Sequence, residues 1–303
     1  EGDSLMTTVT SSVIAPRAGT KVATTSEWMR RWKRFLRNRL AVISFAYVIL
    51  IAVVALLSPV IAPYSYATIH RGQELLPSFS EGFLMGTDNL GRDVFSRLVY
   101  SIRTALFIAI AAELLSLAIA FVVGTIAGYK GGRFDQILMA ITDVMFAFPG
   151  YLFAVLLVAV MGRSTWAIIL ALTIASWVGQ SRLLRAQIMR LKTLEYVEAG
   201  RSMGAGGWTL VMRYMVPNAM GPVLVTVSFG IPANMLAESG LAILGLGVAP
   251  PTPSLGSMIV DGYAYSLNHP HLIGWPTIVF VSIMVAFTFV GDGIRDAFDV
   301  DES

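Results

Sequence analysis

Residues 198–217 read EAGRSMGAGGWTLVMRYMVP, a charged, glycine-rich segment set between two long apolar runs. A Glu, a group of glycines and a closing Pro have no use inside a hydrocarbon layer, where each unpaired polar group is costly. At its surface they make a compact platform that a soluble protein can grip. Residues 183–197 predict one short amphipathic helix ahead of the glycines. Gly200 and the run from Gly204 to Gly207 let the chain turn, because glycine tolerates positive φ. Residues 208–215 predict a second short helix ending at Pro217. Such a pair protrudes from a bilayer instead of crossing it, and suits insertion into a partner's groove.

The rest of the chain supplies the bilayer part. Hydrophobic residues make up 55% and charged residues 14%, against roughly a quarter charged in a soluble domain, and the mean hydropathy is +0.69. Six stretches, at about 40–62, 103–128, 136–160, 164–182, 218–247 and 272–291, reach the roughly 20 apolar residues that a spanning helix needs. The fold expected is an all-α polytopic membrane protein with six transmembrane helices. The first stretch runs on to Pro59 and Pro63 without a small-residue cleavage pattern, so it is expected to stay as an anchor. The opening EGDSL ahead of Met6 is read as an added extension outside the fold.

The formal net charge is +3, but the cations sit at the ends of apolar runs, where lipid head groups and orientation account for them. Membrane lipid is therefore an expected partner and nucleic acid is not. With no Cys, disulfides, thiol nucleophiles and thiolate metal sites are excluded. Seventeen of the 22 Lys and Arg fall in segments 1–39, 129–135, 182–217 and 292–303, leaving Arg71, Arg92, Arg97, Arg103 and Arg163 on the other side. The positive-inside rule puts both termini and the 183–217 segment in the cytoplasm. The organisation read from this is a cytoplasmic tail over 1–39, a first transmembrane helix over 40–62, an extracytoplasmic segment over 63–102, a five-helix core over 103–296 that includes the 183–217 loop, and a tail over 297–303. In the first tail Trp28, Trp32 and Phe35 fall at i, i+4 and i+7 among Arg30, Arg31, Lys33, Arg34 and Arg37, the pattern of an interfacial helix whose charges also serve orientation.

Four further features bear on chemistry. Asp88, Arg92 and Asp93 in GTDNLGRDVFSRL, residues 86–98, have no His or nucleophile beside them and read as a salt-linked turn. Pro250, Pro251 and Pro253 predict a loop without regular helix over 248–271. In that loop Asp261, His269 and His271 lack a further ligand, so no metal is expected. Glu113, Asp143 and Glu238 lie within spans, where a carboxylate either lines a pathway or bonds a neighbouring helix. Asn234 stands one turn from Glu238 on the same face, with Gly230 and Pro232 as a hinge, so Asn234, Glu238 and Asp143 are the pathway candidates. Gly124 and Gly128 make a G-x-x-x-G step that suits close helix packing.

Glu198-Ala199-Gly200, Gly204 and Val216-Pro217 resemble the EAA loop of the membrane subunits of binding-protein-dependent ABC importers. GTDNLGRDVFSRL, AGYKGGRFD at 127–135, DVMFAFPGYLFA at 143–154, LGLGVAPPTPSLGSM at 244–258 and GDGIRDAFD at 291–299 resemble the C-type permease subunit of the dipeptide and oligopeptide importers, over roughly residues 30–300. Gly200 departs from the family's usual Ala, Leu255 from a common Trp and Asn234 from a small apolar residue. The resemblance implies a type I ABC importer permease fold with cytoplasmic coupling helices, in a bacterial or archaeal cytoplasmic membrane. It implies coupling to two ATPase subunits through Glu198, Ala199, Gly200, Gly204 and Pro217, pairing with a homologous B-type permease subunit, and delivery of solute by an extracytoplasmic binding protein. No G-x-x-x-x-G-K-[ST] loop is present, so ATP and Mg are expected in the partner subunits, with no cofactor and no catalysis in this chain. Peptides are the family's commonest cargo; nickel chelates, glutathione, opines and oligosaccharides are the alternatives. A proton-driven secondary carrier needs internal repeats, which the halves do not display. An intramembrane hydrolase needs a Ser-His or paired-carboxylate site, and no His falls in a span.

Overall fold

The computed structural model describes residues 27–298. Residues 1–26, where the expected EGDSL extension falls, the side chains of Glu27 and Trp28, and residues 299–303 lie outside the described residues. Among the described residues the regular elements are helical: α1 Glu27–Phe35, α2 Arg39–Leu56, α3 Ser58–Ile61, α4 Val94–Lys130, α5 Gly132–Ala147, α6 Gly150–Met161, α7 Thr165–Lys192, α8 Glu195–Ser202, α9 Gly207–Thr209, α10 Val216–Ile243, α11 Leu255–Tyr263 and α12 His271–Phe298. A π-helical turn, Leu210–Met215, joins α9 to α10.

Five of these units are long and apolar enough to cross a membrane, and α5 with α6 makes a sixth that is bent by 80°. The span expected at about 136–160 is thus a broken one. The residue before a proline is pushed out of the α region, and Phe148, ahead of Pro149, is extended at φ −84°, ψ 135°. The boundary drawn at residue 102 falls inside α4, which takes in the last residues of the segment expected outside the membrane. That helix starts at Val94 on an Asp93 cap, whose side chain accepts from the Ser96 amide, and its 37 residues reach about 55 Å, well beyond a hydrocarbon core of roughly 30 Å. The segment after the three prolines is not all loop, because Ser254 and Ser257 form a reciprocal cap that starts α11 at Leu255.

Lipid is as apolar as leucine, so spanning helices associate through close packing rather than the hydrophobic effect. α4 and α7 supply the clearest case. A Cβ added at Gly124 would stand 2.6 Å from the Ser181 carbonyl oxygen, and one at Gly128 would stand 2.8 Å from that of Arg185. The G-x-x-x-G step therefore sets the distance between these two helices. The interior is stacked in layers: Val94, Leu98, Met235, Leu255 and Ile283 at one end, Ile108, Val158, Ile168 and Leu241 in the middle, and Ile188, Val197, Leu210 and Met215 at the other end. α1 docks on α12 through Phe35, which packs against Ala41 and Ala297, while Trp32 stacks on Phe35 at 5.6 Å and stays 49% exposed.

Candidate functional site

The glycine-rich segment follows α7 without leaving the packed body. α7 runs unbroken to Lys192, so the separate helix expected over 183–197 is replaced by the last turns of α7 and, after Thr193 and Leu194, by α8. The boundary falls there because the α7 residues Leu184, Ile188 and Leu191 stay in the same apolar cluster as the helix above them. Glu195 and Glu198 sit in the first turn of α8 and Arg201 in its last, the arrangement that suits the helix dipole.

α8 ends in a Schellman turn. The Ala205 amide donates to the Gly200 carbonyl and the Gly204 amide to the Arg201 carbonyl, both at 3.0 Å, and Gly204 takes the left-handed φ of +85° that this turn requires. Gly200 has a different role. It is buried, and a Cβ there would press on Leu210 at 3.1 Å and on the Tyr214 ring at 3.2 Å, so its bare backbone lets α8 lie close against the π turn. Gly207 does the same toward α4, where a Cβ would stand 2.7 Å from the Tyr129 hydroxyl. Lys192 closes this corner by donating to the Tyr129 carbonyl at 2.7 Å. Val197 is fully buried beside Leu210 and Met215 and anchors α8 from below.

The second short helix does not end at Pro217. Pro217 sits in the first turn of α10, where a missing N–H is tolerated. The π turn makes room for it: the Val216 amide bonds the Val211 carbonyl, a five-residue step, and the Tyr214 carbonyl is taken by Asn218 Nδ2 at 2.7 Å. Pro217 therefore joins the segment to a 28-residue helix instead of closing it.

What faces outward is Glu198, Ala199, Met203 and Trp208. The Glu198 side chain is 66% exposed, with Arg201 at 3.6 Å as its one ion-pair partner among the described residues, and Met203 and Trp208 are about three-quarters exposed. An exposed carboxylate and two bare apolar side chains in one short segment offer a charge to pair and an apolar area to cover. Trp208 and Met203 were absent from the residues singled out in the sequence. The signal was there, because a Trp directly after Gly206-Gly207 has no packing reason to stand in a polar turn.

The pathway candidates separate. Asp143 is exposed on α5 and pairs with Arg182 of α7 at 2.6 Å, below which Arg185 grips Asp135 with two bonds of 2.5 and 2.6 Å. Asn234 is buried and turns into the chain, donating to Glu113 Oε2 at 3.0 Å, while Gln180 Nε2 donates to Glu113 Oε1 at 2.7 Å. One carboxyl group of α4 thus holds an amide from α7 and an amide from α10. Gly230 belongs to the same arrangement, since a Cβ there would overlap the Glu113 carboxyl group. Glu238, one turn further along α10, is 1% exposed, and neither of its oxygens has a hydrogen-bond partner among the described residues. In this conformation the open surface is offered by Asp143 and by Phe146, Phe148 and Tyr151 at the α5–α6 bend, all exposed. Among the described residues no group of three or more His, Asp or Glu is placed to hold a metal ion.

Residues 120–301 match the family described as the binding-protein-dependent transport system inner membrane component, and residues 26–77 match the N-terminal TM domain of oligopeptide transport permease C. The chain is 38% identical to the oligopeptide transport system permease protein OppC of Bacillus subtilis (strain 168), across 90% of each chain. It is 37% identical to that organism's dipeptide transport system permease protein DppC, across 88% of this chain and 84% of the other. A solved structure of the MetNI methionine ABC transporter in an inward facing conformation superposes with a TM-score of 0.56 at 18% identity, covering 68% of this chain and 98% of that one.

Proposed function

The chain belongs to the family of binding-protein-dependent transport system inner membrane components, a multi-pass permease subunit of an ABC importer, and from that premise we propose how it couples and what it carries. The solute is a peptide, on the strength of the oligopeptide and dipeptide names of its relatives. α8 is the coupling helix: Glu198 makes a charge-assisted contact with an Arg or Lys of an ATPase subunit, Ala199, Met203 and Trp208 fill the apolar part of its groove, and Gly204, Gly200 and Pro217 shape the segment. The chain itself hydrolyses nothing; ATP and Mg act in two partner ATPases, a homologous permease subunit completes the pathway, and a binding protein delivers solute from outside. The clustering of Lys and Arg supports a cytoplasmic α8 and cytoplasmic termini in a bacterial or archaeal cytoplasmic membrane.

One observation carries the reading. α8 offers an exposed face on one side and shares a close-packed core with the π turn and α7 on the other, and the π turn continues without a break into α10. Packed interiors transmit displacement instead of absorbing it, so a push on α8 reaches the far end of α10. ATP drives the cycle only if it favours one conformation of the assembly over the other. On this reading Asp143, exposed on α5, borders the pathway, and Asn234 and Glu238 act from behind its wall. The test is reconstitution of the chain with its permease partner, ATPases and binding protein in liposomes: uptake of a peptide requires ATP with the proton gradient clamped. Uphill transport by the chain alone would overturn the proposal.

A further inference from the structure

Two segments that take no part in coupling, GTDNLGRDVFSRL and LGLGVAPPTPSLGSM, meet on the face opposite α8, where α4 and α7 begin and α10 ends. Between them lies a cavity of about 520 Å³, lined by Arg92 and Arg97 from the first segment, Arg163 from the turn between α6 and α7, Asp261 of α11, and apolar walls that include Val248, Pro250 and Val260. That volume lies within the roughly 300–1,000 Å³ of small-molecule sites, which combine apolar walls with a few convergent polar groups.

The charges do not cancel. Asp88 Oδ2 serves two guanidinium groups, accepting from Arg92 Nε at 2.7 Å and lying 3.4 Å from Arg97 Nε. Arg97 Nη2 is 4.0 Å from Asp261, whose side chain is 57% exposed. Arg163 has no carboxylate partner among the described residues; its Nε donates to the Gly247 carbonyl at 3.2 Å, which fixes its direction and leaves both Nη groups unbound. Arg92 and Arg97 are thus paired with Asp88 and Asp261, and Arg163 is the one cation of the lining with no carboxylate partner among the described residues. Arg92 and Arg97 are buried and each has a carboxylate within 4.0 Å, so the cation left for a ligand is the exposed Arg163.

We propose that this cavity is an outer subsite for the transported solute and that Arg163 takes its free carboxylate. Asp261 on the same wall favours a solute that also carries an ammonium group over one bearing only negative charges. The inference rests on the peptide-importer reading and names the chemical handle by which the permease itself, apart from its delivery protein, selects cargo.

The test uses the complete transporter in liposomes, driven by saturating binding protein preloaded with trialanine or with trialanine amide. Arg163 is exposed, so Arg163→Gln leaves folding intact. Loss of a charge-assisted contact predicts that the variant takes up trialanine about tenfold more slowly than wild type, that the amide, already slow in wild type, is unaffected, and that Arg163→Lys restores part of the difference. Equal rates for variant and wild type on trialanine overturn the proposal. So does a loss that is equal for both peptides and accompanied by a need for more loaded binding protein, because Arg163 would then hold an acidic side chain of the delivery protein. A wild-type transporter that moves neither peptide overturns the peptide reading itself, and this inference with it.

Discussion

Replacing Glu113 asks whether α4, α7 and α10 are tied together by one buried acceptor. The side chain is 1% exposed and accepts from Gln180 Nε2 at 2.7 Å and Asn234 Nδ2 at 3.0 Å. Glu113→Leu roughly keeps the volume and leaves two amides without their acceptor. A membrane-embedded side-chain hydrogen bond contributes about 0.6 kcal/mol on average and up to about 1.7, so losing two costs about 1–3 kcal/mol. Glu113→Gln is different: its new NH₂ group needs an acceptor, and Gln180 Oε1, buried and without a partner in the native chain, supplies one if the Gln180 amide turns over. The cost then stays below that of one average bond. At roughly 2–4 °C per kcal/mol for a chain somewhat smaller than this one, thermal unfolding of the purified assembly in detergent shows a midpoint lowered by about 2–12 °C for the Leu variant and by less than about 2 °C for the Gln variant. A double-mutant cycle with Gln180→Leu should be clearly non-additive, because the two residues share a bond. Equal losses for the Leu and Gln variants, or no loss in the Leu variant, would refute the network.

Gly204→Val forces a β-branched residue into φ +85° at a cost of about 1–2 kcal/mol or more; open space surrounds the position, so the expected loss of uptake and of ATPase copurification is a backbone effect, and Gly204→Asn, which tolerates the left-handed region, should keep most of both. Glu198→Ala removes an exposed group whose pairing with Arg201 is a surface contact at 3.6 Å, so thermal stability should be unchanged while ATPase pull-down weakens and uptake falls; unimpaired uptake would remove Glu198 from the coupling contact. Gly128→Leu drives a side chain into the Arg185 carbonyl and Ile188 and should lower the yield of folded protein in the membrane fraction, since overpacking at such a crossing has no room to relax. Asp143→Asn, exposed and paired with Arg182, should change the relative uptake rates of acidic and basic peptides if it borders the pathway; identical ratios would take it off that wall.

Much of this was legible in the chain. Runs of about 20 apolar residues can only span a bilayer as helices, so the six spans, and a turn at Gly204, followed from hydropathy and from glycine's freedom at positive φ. Phe148-Pro149-Gly150 carried the break in the third span as plainly, through proline's effect on its neighbour, and Trp208 announced an exposed apolar side chain.

Three things were decided by tertiary structure alone. The pairing of Glu113 with Gln180 and Asn234 joins residues 67 and 121 positions apart; hydropathy registers each as one polar residue in an apolar run and holds no information on which helix it turns toward. The passage of Pro217 into α10 depends on a π turn whose carbonyls are satisfied by Val216 and Asn218, a local register shift that propensity does not encode. The cavity at Arg163 forms where four connections converge, and which of its cations is left unpaired depends on ion pairs between residues from 88 to 261. Local sequence sets the conformation of each helix because its backbone bonds close within a turn. The direction of its side chains, and hence the chemistry they share, is set by partners that are distant in the chain and adjacent only after packing.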